Sequence, residues 1–279
     1  MRVRMMGVAV LVAALFAPGA AWADEWDDAV SAQRRGEYSI ALPVFRTYAT
    51  RGDVFAQFFL GAMYDNGQGV PQDYREAAKW YRLAAEQGYA DAQINLGDMY
   101  SKGQGVLQDK REAAKWYRLA AEQGYADAQF SLGYMYDFGN GVLQDTREAA
   151  RWYRLAAEQG NARAQSNIGS MYSEGAGVLQ DYREALRWYR KSAAQGDPIG
   201  MTNLGVMYVQ GKGVPVDYVR AHMWSNLAVA AGDIQIAASN RDINARRMTP
   251  AQIAEAQRLA RECLASNYKR CGEPGEPAR

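Results

Sequence analysis

The chain has 279 residues, with 32 Lys and Arg against 31 Asp and Glu, and its formal net charge at pH 7 is +1. This balance excludes the broad basic field that attracts nucleic acid, so no nucleic-acid partner is predicted. Hydrophobic residues make up 48% and charged residues 23% of the chain, with 18 Tyr and 7 Trp to fill a core, as is typical of a folded protein.

The first 23 residues are typical of a secretory signal peptide. Arg2 and Arg4 give a positively charged end, residues 7–16 form an apolar run, and residues 21–23 match the small-x-small cleavage pattern. The alternative is a membrane anchor, but the apolar run is well short of the roughly 20 residues that cross a bilayer. We therefore predict cleavage after Ala23 and a periplasmic or secreted chain that is not inserted in the membrane.

Residues 24–52 are predicted to form an N-terminal capping pair of helices, Trp26 to Arg35 and Glu37 to Arg51. The connection between these helices is shorter than in the units that follow. Gly52 already stands in phase with Gly88, the last residue of the first full unit. The pair is therefore expected to cap the start of a repeat array.

A period of 36 residues organises the middle of the chain. It is carried by one tryptophan in each unit: Trp80, Trp116, Trp152, Trp188 and Trp224. A Leu-Gly-x-Met-Tyr-like string and a Gly-x-Gly-Val turn return at the same interval, as in repeat proteins. We predict five repeats over residues 53–232, with the units 53–88, 89–124, 125–160, 161–196 and 197–232, and we expect the tryptophans to be core residues.

Each unit is predicted to contain two helices joined by a glycine loop, as the second unit shows. Its first helix covers Tyr89 to Tyr100. Gly97 within it costs about 1 kcal/mol relative to Ala, which favours a close approach of another helix there. Asp109 and Glu112 begin the second helix with the spacing of a capping box, which is a structural reading of the two carboxylates rather than a catalytic one. Gly124 is the expected left-handed cap at the end.

The period is lost after residue 232, and residues 233–271 are predicted to form two C-terminal capping helices, Ile234 to Arg246 and Pro250 to Leu264. Residues 272–279 are rich in Pro and Gly and are predicted to be a disordered tail.

The two cysteines, Cys263 and Cys271, are predicted to form a disulfide in an oxidising compartment. On a continuous helix they would lie about 12 Å apart, so the bond requires a turn near Ser266 and Asn267. A metal site is the alternative, and it is disfavoured because no His or second Cys pair lies close by in the sequence.

The tryptophan spacing, the Leu-Gly-x-Met-Tyr string, the Gly-x-Gly-Val turn and the Ala-Glu-Gln-Gly ending together resemble the Sel-like repeat (SLR) family, relatives of the tetratricopeptide repeats. The resemblance covers about residues 53 to 232. It implies an all-α fold, a right-handed α/α solenoid of 36-residue helix-loop-helix repeats. It also implies an exported scaffold of the bacterial envelope that holds an unidentified protein or peptide partner.

The alternative function is that of a β-lactam-binding or β-lactam-hydrolysing protein, or of a peptidoglycan-associated one. The resemblance to such SLR proteins is incomplete, because those carry a cysteine pair in each repeat and the five full repeats here have none. The single histidine, His222, stands where earlier units have Ala and is predicted to be a packing residue. We therefore predict no catalytic residue, no cofactor and no metal.

Candidate binding residues are sought where the repeats differ, because the packing positions are fixed by the burial of each unit on the next. Variable positions three or four residues apart on the first helices share a face. They are Asn95, Asp98, Lys102, Ser131, Tyr134, Phe138, Asn167 and Ser170. We call this set the ribbon, and we predict that it binds the partner with Tyr134 and Phe138 as anchors. The alternative is neutral variation on a solvent-exposed surface.

Overall fold

The structure is a computed structural model that describes residues 21–269 and 271. The described residues form fourteen α-helices and no strand, which confirms the predicted all-α class. The helices are α1 Ala21–Arg35, α2 Tyr38–Thr50, α3 Val54–Asn66, α4 Tyr74–Glu86, α5 Ala90–Lys102, α6 Lys110–Glu122, α7 Ala126–Phe138, α8 Thr146–Glu158, α9 Ala162–Glu174, α10 Tyr182–Ala193, α11 Pro198–Gln210, α12 Tyr218–Ala230, α13 Ile234–Ala245 and α14 Pro250–Ala265. Most of the predicted signal peptide, residues 1–20, and the predicted disordered tail, residues 272–279, lie outside the described residues.

The chain divides into two compact units between Leu83 and Ala84, inside α4. In the first unit α1 packs on α2, and α2 packs on α3. The Trp26 ring of α1 lies 5.4 Å from the rings of both Phe45 and Tyr48, measured between ring centroids. Since Phe45 is fully buried, the first two helices share a core of their own with α3.

The second unit is a stack of helix-loop-helix repeats. From α5 to α12 each helix contacts the next one along the chain, and α9 also contacts α11. The hydrophobic side chains of neighbouring repeats share a core: Leu132 of α7 is buried with Tyr117 of α6 and Trp152 of α8. Each repeat therefore covers the apolar face of its neighbour, which is how a repeat array is stabilised.

The two helices of a repeat meet where a glycine faces a tyrosine ring. A Cβ atom added at Gly97 of α5 would lie 2.8 Å from a ring carbon of Tyr117 in α6, which is closer than two carbon atoms pack. The same arrangement recurs at Gly61–Tyr81, Gly133–Tyr153 and Gly169–Tyr189. The predicted close approach at Gly97 is confirmed, and the group that requires the glycine is the tyrosine ring.

The glycine loop is a turn and also a contact between repeats. Gly139 ends α7 in the left-handed conformation, with φ 66°. Gly141, two residues later, has φ 75° and lies against the backbone carbonyl of Lys110 in α6, where a side chain has no room. The loop of the third repeat is thereby packed on the start of the second helix in the preceding repeat.

The predicted capping box of the second helices is half wrong. The carboxylate of Asp109 accepts from the N–H groups of Arg111 and Glu112, at 2.8 and 3.1 Å, as expected of an N-cap. The Glu112 carboxylate instead pairs with the ammonium group of Lys115 at 2.7 Å. The N–H group of Asp109, which would donate to Glu112 in a capping box, is already bonded to the carbonyl of Tyr100 at 3.0 Å.

The C-terminal helices α13 and α14 pack on α12, and they begin and end within a residue of the predicted bounds. Cys263, buried in α14, and Cys271 are joined by a disulfide. The turn that this bond requires lies where it was predicted, because Asn267 and Tyr268 both have positive φ, 52° and 62°. Within the described residues, no helix is both long and apolar enough to cross a membrane.

Candidate protein-binding surface

The eight ribbon residues lie on the first helices of three successive repeats, α5, α7 and α9. Lys102, Tyr134 and Phe138 are exposed to solvent, and the other five are half-buried. The ribbon is therefore accessible, but most of its polar residues are tied to the packing of the repeats.

Tyrosine hydroxyls from the second helices hold the polar ribbon residues in place. The Tyr117 hydroxyl donates to Oδ1 of Asp98 at 2.5 Å, and Oδ2 of Asp98 accepts from Nζ of Lys102 at 2.8 Å. Burial, together with the hydrogen bond to the Asp98 carboxylate, raises the pKa of Tyr117. The hydroxyl therefore stays protonated at neutral pH and remains a donor to Asp98.

In the fourth repeat Ser170 takes the place of Asp98. The Tyr189 hydroxyl donates to Oγ of Ser170 at 3.1 Å, and burial raises the pKa of Tyr189 to about 12. Asn203 of α11 donates to the same Oγ atom at 3.4 Å, and Ser170 itself donates to the carbonyl of Ser166 at 3.2 Å. A hydrogen bond between repeats thus joins the ribbon residue Ser170 of α9 to Asn203 of α11.

The third repeat differs because an aromatic ring, Tyr134, stands at the acceptor position. The Tyr153 hydroxyl reaches Oδ2 of Asp137 at 3.4 Å instead, and it also forms a hydrogen bond with Asn167 of α9. The rings of Tyr134 and Phe138 contact each other, with centroids 4.5 Å apart and planes inclined by 39°. Their exposed fractions are 45% and 59%, so one turn of α7 presents two aromatic rings to solvent.

Within the ribbon, Lys102 bonds to Asp98 and the Tyr134 ring contacts the Phe138 ring. Among the described residues, no hydrogen bond or ring contact links the other four members, Asn95, Ser131, Asn167 and Ser170, to another member of the set. The tyrosines that organise the ribbon were not predicted as site residues, because in the sequence tyrosines were expected only to fill the core. The available signal was the spacing: each of these tyrosines follows the first-helix glycine by 20 residues, as Tyr117 follows Gly97.

The Sel1 repeat model matches five consecutive segments that cover more than half of the sequence: residues 54–89, 90–125, 126–161, 162–197 and 198–233. The chain belongs to the Sel1 repeat family. Each matched segment begins one residue after the corresponding predicted unit. Sel1 repeat proteins generally mediate protein–protein interaction.

Two solved structures of this fold are similar to the Sel1 repeat chain. A protective antigen of uropathogenic Escherichia coli that displays an SLR fold is 35% identical, with a TM-score of 0.76 over 92% of this chain and 58% of the antigen. A Sel1 repeat protein from Oxalobacter formigenes is 33% identical, with a TM-score of 0.71 over 91% of this chain and 96% of that protein. This chain therefore spans little more than half the length of the antigen. No curated protein matches it.

The histidine of this Sel1 repeat protein is a packing residue, as predicted. His222 is 3% exposed, and its Nδ1 lies 2.9 Å from Nδ2 of Asn226. Burial lowers the pKa of His222, so its ring is held in the neutral form. In the described residues no three His, Cys, Asp or Glu side chains are grouped so that they could hold a metal ion.

One Ser-x-x-Lys string, of the kind that carries the nucleophile of β-lactam-binding enzymes, occurs at Ser266–Lys269. Ser266 follows the end of α14, and its hydroxyl donates to the carbonyl of Cys263 at 2.7 Å. Asn267 and Tyr268 leave the helical conformation, so Ser266 and Lys269 do not stand on successive turns of one helix. The string is part of the turn that closes the disulfide ring.

Proposed function

We propose that this Sel1 repeat protein is an exported scaffold of the bacterial envelope and that its ribbon binds a segment of a protein or peptide partner. The general role of the family supports a protein partner. Export is supported by the pattern of residues 1–23 and by a disulfide of the kind that persists in oxidising compartments.

The aromatic pair of the third repeat is the observation on which the proposed ribbon site rests. Tyr134 and Phe138 pack on each other and not into the core, and they replace the polar pair Asp98 and Lys102 of the second repeat. Exposed aromatic rings are the residues that most often dominate the energy of a protein–protein interface. In the folded protein the rings of Tyr134 and Phe138 therefore remain available to bind a partner.

The polar residues beside the pair suit the rim of such an interface. Asp98 and Ser170 are already oriented by Tyr117 and Tyr189, so a partner that binds them does not have to immobilise them. Pre-organised groups lose less conformational entropy on binding, which increases affinity. The ribbon thus combines an apolar anchor with polar groups that are fixed before the partner arrives.

The test compares two double variants in affinity capture from envelope extract, with the captured proteins identified by mass spectrometry. Tyr134→Ala/Phe138→Ala removes the aromatic pair. Leu119→Ala/Tyr125→Ala is the control, because Leu119 and Tyr125 are 45% and 40% exposed and lie outside the ribbon. We expect the first variant to lose most of a partner that the wild type and the control both retain, and both variants to melt within a few degrees of the wild type.

Equal capture by all three proteins would contradict the ribbon as the binding surface. Unfolding of the Tyr134→Ala/Phe138→Ala variant would contradict the view that the pair is not needed for packing. The protein is to be recovered from the cell envelope, and its intact mass is expected to show a chain that begins at Asp24. A chain that stays in the cytoplasm with residues 1–23 attached would contradict export.

A further inference from the structure

The second helices of the first four repeats carry cations at the spacing i, i+4, i+7, which lies along one helical face. The positions are Arg75, Lys79 and Arg82 in α4, Arg111, Lys115 and Arg118 in α6, Arg147, Arg151 and Arg154 in α8, and Arg183, Arg187 and Arg190 in α10. A solvated face is the simplest explanation of such a pattern. In the third repeat these cations also line a pocket.

The pocket lies between α8 and the glycine loop that follows α9, and its volume is about 360 Å³. It is lined by Arg147, Ala150, Arg151, Arg154, Leu155, Gly177 and Val178. Three arginine side chains therefore line the pocket together with small and aliphatic side chains. This volume is at the lower end of the range in which small-ligand sites are found.

Two of the three arginines are held in position by aromatic rings. Nη2 of Arg154 donates to the Tyr172 hydroxyl at 2.7 Å, and its Cζ lies 5.6 Å from the centroid of the Tyr172 ring. Cζ of Arg151 lies 4.8 Å from the centroid of the Trp152 ring. Stacking of this kind restricts the guanidinium planes, so less entropy is lost when they bind an anion.

The carboxylates nearby are already engaged. Glu148 accepts from Arg151 at 3.2 Å, in a pair exposed enough to be readily exchanged. The carboxylate of Asp145 caps α8 by accepting from the N–H groups of Arg147 and Glu148. The Arg147 guanidinium forms no ion pair with any described residue. Three cations thus line the pocket, while one nearby carboxylate caps α8 and the other forms an exposed ion pair.

We propose that this pocket binds a glutamate side chain from an acidic segment of a polypeptide partner. The planar guanidinium groups can bind a carboxylate through paired hydrogen bonds. The aliphatic floor formed by Ala150, Leu155 and Val178 suits the methylene stem of glutamate and offers nothing to a compact inorganic anion. The site goes beyond the proposed function, because it lies on a second helix and not on the ribbon.

The fourth repeat has the same cations, but a larger side chain stands beside them. Leu186 stands there in place of Ala150, and Gly213 lies so close that a Cβ atom on it would be 2.8 Å from the Leu186 side chain. The space that is open beside Ala150 is therefore filled in the next repeat. Arg183 corresponds to Arg147 in charge and position but lacks the open space beside it. A substitution of Arg183 is therefore the control for a substitution of Arg147.

Acetyl-tetraglutamate amide, titrated into the purified full-length protein by calorimetry at low ionic strength, tests the proposal, because surface electrostatics is least screened there. We expect Arg147→Gln to raise the Kd by about tenfold, as is typical for the loss of a charge-assisted hydrogen bond. We expect Arg183→Gln to change the Kd by less than about twofold, since only screened long-range attraction is lost. Ala150→Leu fills the pocket with the residue of the fourth repeat, keeps every charge, and is expected to remove binding.

Equal weakening by Arg147→Gln and Arg183→Gln, with Ala150→Leu still binding, would overturn the proposal, because binding would then belong to the basic face in general. Failure of the wild type to bind the peptide would overturn it as well. Inorganic phosphate that binds as tightly as the peptide, with the same dependence on Arg147, would show a free-anion site instead of one for an acidic segment. If circular dichroism shows that Ala150→Leu is unfolded, the Kd values of Arg147→Gln and Arg183→Gln still test the proposal: equal weakening by the two variants would overturn it.

Discussion

The third and fifth repeats of this protein share one template but fill it with different side chains. In the third repeat the ring of Tyr153 lies on Gly133. In the fifth repeat Ser225 takes the place of the tyrosine, and its hydroxyl bonds back to the carbonyl of Ala221 at 2.9 Å. Gly205, the counterpart of Gly133, faces that carbonyl, and an added Cβ would lie 3.3 Å from it.

The two repeats differ because their neighbours differ. The third repeat lies between two others of its kind, and Ala150 borders the pocket beside the next loop. In the fifth repeat α12 is covered by α13 and α14, and the counterpart of Ala150 is His222, whose ring contacts Asn226. The 36-residue period therefore fixes where a side chain stands, while the neighbouring element decides what the side chain does.

The tryptophan is the feature that both repeats keep, and its loss should have the largest effect. Trp152 is 6% exposed and packs on the core of the second and third repeats. Trp152→Ala is expected to lower the free energy of unfolding by about 3–5 kcal/mol, since a large buried ring is replaced by a cavity. Urea denaturation followed by circular dichroism measures this change.

Leu143→Ala is the matched control for Trp152→Ala, because Leu143 is 91% exposed in the loop of the same repeat. Its effect should stay within about 0.5 kcal/mol. A Trp152→Ala protein as stable as the control would show that Trp152 does not contribute to the packed core of the repeats.

Substitution of the first-helix glycine is expected to change the stability of the two repeats by different amounts. Gly133→Ala places a methyl group 2.7 Å from the buried Tyr153 ring, an overpacking that costs about 1–3 kcal/mol. Against a gain in helix propensity of about 1 kcal/mol, we expect a net loss of stability of up to about 2 kcal/mol. Gly205→Ala meets its nearest atoms at 3.3 and 3.4 Å, so the two effects should nearly cancel. Thermal melting of both variants checks the order. Equal losses of stability would mean that the tyrosine ring is not what requires the glycine.

The fold could be predicted because the residues that determine it recur every 36 positions along the sequence. Tryptophan, glycine and turn residues at one spacing fixed the helix pairs and their ends to within about two residues, and local capping at Asp109 follows from residue type. The buried glutamines could not be assigned in this way. Gln129 is 4% exposed, donates to the carbonyl of Ala121 and accepts from Gln159 of the same repeat, contacts that exist only after the helices have packed.

The candidate site was predicted only in part, because several of its contacts form only after helices and loops have packed on each other. The helical spacing of Tyr134 and Phe138 was enough to place them on one face. The tyrosine that reaches Asp98 comes from the other helix of the repeat, and the pocket at Ala150 requires a loop from the next repeat. Contacts between elements depend on the distances between them, and those distances are not encoded in any one segment.

The smallest effect is expected at His222, where the fifth repeat carries an ionisable group and the third has Ala150. Burial is the main cause that lowers the pKa of His222, and Arg241 of α13 adds to it while Asp242 opposes it. The folded protein therefore binds the proton less readily than the unfolded chain, whose histidine has a pKa of about 6.5. Stability from this group is fully present above pH 6.5 and is lost as the pH falls from there toward the lower pKa of the folded state.

The sequence contains one histidine, so a His222→Gln variant isolates this contribution. Between pH 7.5 and pH 5.5 the melting temperature of the wild type should fall by a few degrees more than that of the variant, because only the wild type must keep a neutral imidazole against protonation of its unfolded chain. The carboxylates and Arg241 remain in both proteins and cancel in the comparison. Parallel melting curves over this pH range would mean that the His222 ring takes up a proton without leaving its place. The buried position beside Asn226 would then tolerate a charge, and the fifth repeat would be less tightly closed by α13 than its packing indicates.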